Sequence, residues 1–207
     1  MARMKRNIGE LVSGKIGNIV FYQLNGNSYV RAAPVMKKES WTEEQQFHRQ
    51  RISKASGYWR ALRSELMSKI WNNAAEQMNG YAYFMKANMP ALELDDTLID
   101  PKLLKISAGK LPVLQQLTAE RQPDNSAIIV VSWQNDPHLK GERLNDELMV
   151  VSFADDKFSP ITATGIVRGA KKGSFSLPLH PTTATHIYLF MASRDREEYS
   201  ESVCVEV

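Results

Sequence analysis

Hydrophobic and polar positions change their rhythm three times along this chain. Between residues 16 and 33 they alternate. Ile16, Asn18, Val20 and Tyr22 fall on one side of an extended ribbon, and Gly17, Ile19, Phe21 and Gln23 on the other. Asn25-Gly26-Asn27 interrupts with residues that tolerate the positive φ of a tight turn. Ser28-Tyr29-Val30-Arg31 resumes the strand and Pro34 ends it. The spacing predicts a β-hairpin with apolar side chains on both faces. Such a ribbon is marginal in water unless something covers it.

From residue 40 the period lengthens. Ser40 followed by Glu43 is a capping box. Phe47, Ile52, Ala55, Trp59, Leu62, Leu66 and Ile70 then recur at mostly three- and four-residue steps, as one stripe of an amphipathic helix. Asn72-Asn73 interrupts it. A second helix is predicted from Ala74 to about Asn88, weakened by Gly80 and closed by Pro90. Its Tyr81, Tyr83, Phe84, Met85 and Met89 suit the core of a helical hairpin or an adhesive surface. Residues 91–113, with Asp95-Asp96, Pro101, Gly109 and Pro112, read as a connector and place a domain boundary there.

Beyond residue 113 the pattern is all-β. Seven runs rich in strand formers, at 114–119, 127–133, 147–153, 161–167, 174–179, 186–193 and 202–207, alternate with turn-rich stretches. That spacing predicts an antiparallel β-sandwich. The fold class is therefore α+β: a hairpin arm (1–39), a helical hairpin (40–92), a connector (93–113) and a sandwich (114–207).

Composition sharpens this outline. The 207 residues are 43% hydrophobic and 24% charged, ordinary for a chain with a packed core. No run approaches a membrane span. Arg3, Lys5 and Arg6 open the chain without an apolar stretch behind them, so no secretion signal is read. The one cysteine, Cys204, lies in an apolar-alternating strand and reads as a small buried hydrophobe. Together these point to the cytoplasm, or to a particle assembled inside the cell. The net charge of +3 is unevenly spread. Residues 1–38 hold seven basic residues and one acid, leaving the remainder at −3. A basic arm on an acidic body can bind nucleic acid, an anionic surface, or the body of a neighbouring copy.

Motifs for chemistry are weak. Gly9 to Lys15 satisfies the spacing of a phosphate-binding loop. However, Ile16 stands where Ser or Thr would hold Mg²⁺, Met4-Lys5-Arg6-Asn7 is no buried strand, and a hairpin follows instead of a helix. Tight turns explain these glycines better. His48, His138, His180 and His186 have no ligand-like spacing, so no metal is expected. Asp95-Asp96 and Asp155-Asp156 read as turn acids. Nothing supports an activated nucleophile or a cofactor, and the chain reads as non-enzymatic.

Two resemblances add to this picture. Leu117-Thr118-Ala119, then Asn125 to Trp133, resemble the first two strands of a fibronectin type III domain with its buried tryptophan. Leu179 to Thr183, then Ile187 to Ala192, resemble the approach to its sixth strand. Tyr188 stands three positions beyond the place of that family's corner tyrosine, near Thr185. Such domains bind or space other molecules. Over most of the chain, Ser13-Gly14-Lys15-Ile16-Gly17-Asn18-Ile19-Val20, Tyr29-Val30-Arg31 with Pro34, and Ile106-Ser107-Ala108-Gly109-Lys110-Leu111 resemble an uncharacterised family of Bacteroidetes proteins. That resemblance implies the layout and no activity.

The expected function is structural: docking onto a protein partner or a second copy through the arm and the aromatic helices, with a phage-like or other multi-subunit particle as one setting. The residues expected to make contact are Arg3, Lys5, Arg6, Lys15, Phe21, Tyr22, Tyr29 and Arg31. The alternative is nucleic-acid binding, the same cations contacting phosphates and the same rings stacking on bases.

Overall fold

The computed structural model describes residues 2–3, 13–24, 26–35, 41–92, 100–155, 157–177 and 186–207. Two compact units divide the chain between Glu43 and Glu44.

The first unit is a four-stranded antiparallel sheet of β1 (Ala2–Arg3), β2 (Gly14–Ile16), β3 (Ile19–Leu24) and β4 (Asn27–Ala32), in the order β1-β4-β3-β2. The hairpin read from sequence is present as β3 and β4. Gly17-Asn18, read as part of a continuous strand, is a two-residue turn instead, because Ile16 pairs with Ile19 across it. That turn resets the alternation. Ile16 leaves the side of Val20 and Tyr22 and joins Ile19 and Phe21.

The second unit begins with three helices: α1 (Glu43–Leu62), α2 (Glu65–Ala74) and α3 (Gly80–Asn88). The single long helix expected up to Ile70 is broken at Arg63-Ser64. There the Ser64 hydroxyl accepts from the Met67 amide at 3.0 Å and caps α2. The second expected start, Ala74, is instead the end of α2. Asn79 caps α3 by accepting from the Ala82 amide at 2.8 Å. Gly80 is no weak point. A Cβ there would lie 2.6 Å from the Asn72 side chain and 2.8 Å from its backbone nitrogen, so only glycine lets α3 start this close to α2. The stripe also shifts: Ile52 is exposed, and Tyr58 joins Ala55 and Leu62 in the core.

The sandwich follows. β5 (Gln115–Gln122), β6 (Asn125–Gln134) and β10 (Lys172–Ser176) form one sheet in the order β10-β6-β5. The other sheet contains β7 (Glu147–Ala154), β11 (His186–Ala192) and β12 (Val203–Glu206) in the order β12-β11-β7. β8 (Lys157–Phe158) and β9 (Thr162–Val167) both pair with β7. Each of the seven predicted strands is present to within a few residues, and β8 is additional. First, second and fifth principal strands in one sheet, with the other four facing them, is a fibronectin type III-like arrangement. Trp133 lies buried between the layers.

Alternation along β7 and β11 builds two cores from one sheet. Leu148, Val150, Ile187, Leu189 and Met191 face β5, β6 and β10, against Ile129, Val131, Trp133 and Phe175. Met149, Val151, Phe153, Tyr188 and Phe190 face the other way, against Tyr58, Met67, Ile70, Trp71 and Phe84 of the helices. The second unit is thus three layers, helix on sheet on sheet, and its middle sheet is buried on both sides.

Residues 104–111 tie these layers together. Leu104, Ile106 and Ala108 enter the helix-side core. The Trp71 indole donates to the Ile106 carbonyl at 3.0 Å. Asn88, fully buried, donates to the Lys105 carbonyl at 3.0 Å and accepts from its amide at 2.7 Å. The Ser107 hydroxyl donates to the Ser200 carbonyl at 2.7 Å, and the Leu111 amide to the Tyr199 carbonyl at 3.0 Å.

Candidate functional site

The residues expected to meet a partner concentrate in the first unit, where register places each of them. Lys15 pairs with Val20, Val20 with Arg31, and Tyr22 with Tyr29; directly opposed residues share a face. Lys15, Tyr22, Tyr29 and Arg31 therefore come together. Tyr22 and Tyr29 stack with ring centroids 5.5 Å apart and planes inclined by 21°. The Arg31 guanidinium lies 5.7 Å from the Tyr22 ring centre, within cation–π range. Phe21 does not belong with them: it pairs with Val30 and Gly14 on the opposite face. Arg3 lies in β1 in register with Tyr29. Lys5 and Arg6 fall outside the described residues, as do Gly9 to Val12, Asn25, Ser40, Asp95-Asp96, Asp156 and the stretch from Leu179 through His180 to Thr185. Lys15, which a phosphate-binding loop would place at the start of a helix, sits in a strand.

Of residues 13–24, 26–35 and 41–43 of this unit none is buried. Ile16 is 65% exposed and Ile19 46%. Ile16, Ile19, Val30 and Ala32 were not singled out as contact residues from the sequence. The signal that exposes them is the Gly17-Asn18 turn, which alone decides the side on which Ile16 falls.

The aromatic helices behave differently from a docking surface. Trp71 packs edge-on against Phe84 and Tyr83, and Trp59 edge-on against Tyr81 and tilted against Phe84, with centroids 5.1–5.7 Å apart. These rings bind the helices to one another and to the middle sheet. Of the group, Tyr81 remains 40% exposed.

Elsewhere in the second unit the charged groups neutralise one another. A concavity of about 650 Å³ is lined by Glu142, Arg143, Asn145, Asp146, Ser193, Arg194, Asp195 and Glu198. Arg143 bridges Glu198 and Asp146 within it. The Ser193 hydroxyl, donating to Asp195, holds that carboxyl below its ordinary range. Behind it lies an almost fully buried pair, Arg168 and Asp146, with Nε and Oδ2 3.5 Å apart. Burial pushes the Asp146 carboxyl up against the pull of Arg168 and Arg143. Arg168 also donates to the Pro112 carbonyl at 2.7 Å, and its amide donates to the Asp146 carbonyl at 2.8 Å. The pair thereby fixes the entrance of β7, the exit of β9 and the chain at Pro112 relative to one another. Desolvation of both ions offsets much of the attraction in such a buried pair.

Two tyrosines close the account. Tyr188 donates to the Pro101 carbonyl at 2.9 Å, so it anchors the segment before β5. Tyr199 donates to the Arg196 carbonyl at 2.6 Å. Beside Tyr188, Cys204 is half-buried, and burial pushes its thiol up to about 11. Among the described residues no three of His, Cys, Asp and Glu are grouped to hold a metal ion, and no helix is long and apolar enough to cross a membrane.

Comparisons with solved structures return matches of low similarity. The central fibronectin-III array of a RIM-binding protein matches 48% of this chain at 17% identity and a TM-score of 0.32; the chain spans 36% of that array's length. Domains d3–d4 of the rat CD45 extracellular region match 96% of this chain and 99% of theirs at 10% identity, with a TM-score of 0.34. No protein-family model matches the chain, and no curated protein does.

Proposed function

We propose that this chain is a non-enzymatic structural or interaction protein that assembles, with itself or with a protein partner, through its N-terminal sheet. One observation carries the reading: a four-stranded sheet bearing Ile16, Ile19, Phe21, Tyr22, Tyr29 and Val30 in which none of residues 13–24 and 26–35 is buried. A sheet of this size needs one covered face to be stable. The helices, whose rings lie in the chain's own core, serve as the mount and not as the contact. A phage-like or other multi-subunit particle is a setting in which such an arm, joined to a three-layer body, would be used. Sedimentation velocity from low micromolar to several hundred micromolar tests the reading. The full chain is expected to gain mass with concentration, and residues 44–207 alone to remain a single chain. A full chain of single-chain mass throughout, with no protein retained on it, overturns the reading.

A second reading rests on Lys15, Arg31 and the stacked Tyr22–Tyr29 pair sharing one face. Cations beside stacked, half-buried rings can suit a single-stranded nucleic acid. Fluorescence anisotropy of a labelled oligonucleotide at 50 and 200 mM salt decides it, because phosphate contacts release counterions and weaken steeply with salt. Absence of salt-sensitive binding removes this reading.

A further inference from the structure

The two faces of the N-terminal sheet are chemically unlike. One carries Ile16, Ile19, Phe21, Val30 and Ala32, with the polar but uncharged Gln23 and Ser28 at its turn end. The other carries Lys15 and Arg31 beside the stacked tyrosines. Two copies meeting on the second face would bring like charges together and desolvate them, which is costly. Two copies meeting on the first would bury only apolar and neutral groups. The uncharged face is thus self-complementary, and it leaves the cations of both copies in water.

Area sets the strength of such a contact. Strands of two, three, six and six residues, about 4.8 Å apart at about 3.3 Å per residue, present a footprint of about 270 Å². Two copies together would bury about 540 Å², well short of the roughly 1,200–2,000 Å² of stable complexes. The contact is therefore weak and reversible, on the order of tens of micromolar or weaker.

We propose that the uncharged face of this sheet docks on the same face of a second copy of the chain about a two-fold axis. The result is a small two-layer sandwich with Lys15, Tyr22, Tyr29 and Arg31 of both copies facing outward. This rests on the reading of the N-terminal sheet as the assembly element, and adds the face and the occupant. A two-fold axis brings each central residue near its own counterpart, and the central pair of the face is Phe21 with Val30.

The test uses the full chain with Cys204→Ser. With Val30→Cys added, mild oxidation is expected to give a disulfide-linked dimer; with Arg31→Cys, on the other face, it is not. In sedimentation, Ile19→Glu is expected to weaken self-association at least tenfold, whereas Arg31→Glu leaves it unchanged or strengthens it. Far-UV circular dichroism accompanies each variant, and the uncoupled Ile19→Glu result stands even where Val30→Cys misfolds. Equal cross-linking from both cysteines, or an unchanged association in Ile19→Glu, overturns the face assignment. If removal of residues 1–43 still abolishes association in that case, the broader reading survives it. If removal changes nothing, both fall. A monomeric full chain at every concentration overturns the second-copy occupant, leaving a different protein as the partner.

Discussion

At Gly109 the chain runs so close to its neighbour that a single carbon atom has no room. A Cβ would lie 2.1 Å from the Tyr199 carbonyl oxygen, which is backbone and cannot rotate away. That oxygen already accepts from Leu111. Gly109→Ala is expected to cost about 3 kcal/mol, since overpacking a tight contact typically costs 1–3 kcal/mol and here a backbone hydrogen bond is displaced as well. Denaturant unfolding of residues 44–207 with and without the change measures it. The resemblance carried by Ile106 to Leu111 gains a physical basis here: Ile106 and Ser107 are fully buried, Ala108 nearly so, and Gly109 is the point of closest approach. Cys204 gives a second prediction at this scale. Burial raises its pKa from 9.0 to about 11, so at pH 8 its thiolate population falls about a hundredfold. Alkylation of the folded protein at pH 8 is expected to be slower than in denaturant by at least that factor. Because the folded value is the higher one, this thiol favours the folded state below about pH 9. That contribution is lost as pH rises from 9 through 11.

Among the elements, the strands were far more legible than the helix boundaries. Seven runs of strand formers separated by turn residues marked the sandwich directly, because each turn is encoded locally. The role of β7 and β11 was also written in the chain, though less plainly. Glu147 to Ala154 and His186 to Ala192 are nearly continuous in apolar residues where β5, in the other sheet, alternates, and unbroken runs belong to strands covered on both faces. The helix breaks were missed for a different reason. Ser64 and Asn79 are strong caps, but Leu62, Leu66 and Ile70 keep a helical spacing across the first of them, so the apolar stripe outweighed the cap. Gly80 read as a weakness because the backbone it must approach, at Asn72, is a tertiary neighbour that no local pattern reveals. The helical layer stands or falls with Trp71, which is fully buried, meets Tyr83 and Phe84, and bonds the Ile106 carbonyl. Trp71→Ala is expected to destabilise the protein by about 3–5 kcal/mol, read as a lowered thermal midpoint.

For the molecule as a whole, the unequal division into two units is the governing fact. Both hydrophobic cores draw their residues from beyond Glu43. Residues 44–207 alone are therefore expected to unfold within about 3 °C of the full chain by calorimetry, as a change of under about 1 kcal/mol would allow for this size. The candidate contact residues were legible as a group of cations and rings. Their partition between two faces was not, because it hangs on whether Gly17-Asn18 continues a strand or turns it.

The clasp of residues 105–111 on residues 199–202 also bears on how the protein is made. During synthesis the helices and the segment carrying Ile106 and Leu111 leave the ribosome long before Tyr199 and Ser200, their hydrogen-bonding neighbours. Until those residues emerge, the middle sheet lacks β12, and the segment at 105–111 lacks the hydrogen bonds that hold it against the helical layer. This unit is thus completed only once residues 199–206 have emerged. A nascent chain stalled before residue 199 would present Trp71, Phe84 and Ile106 to whatever chaperone waits at the tunnel exit.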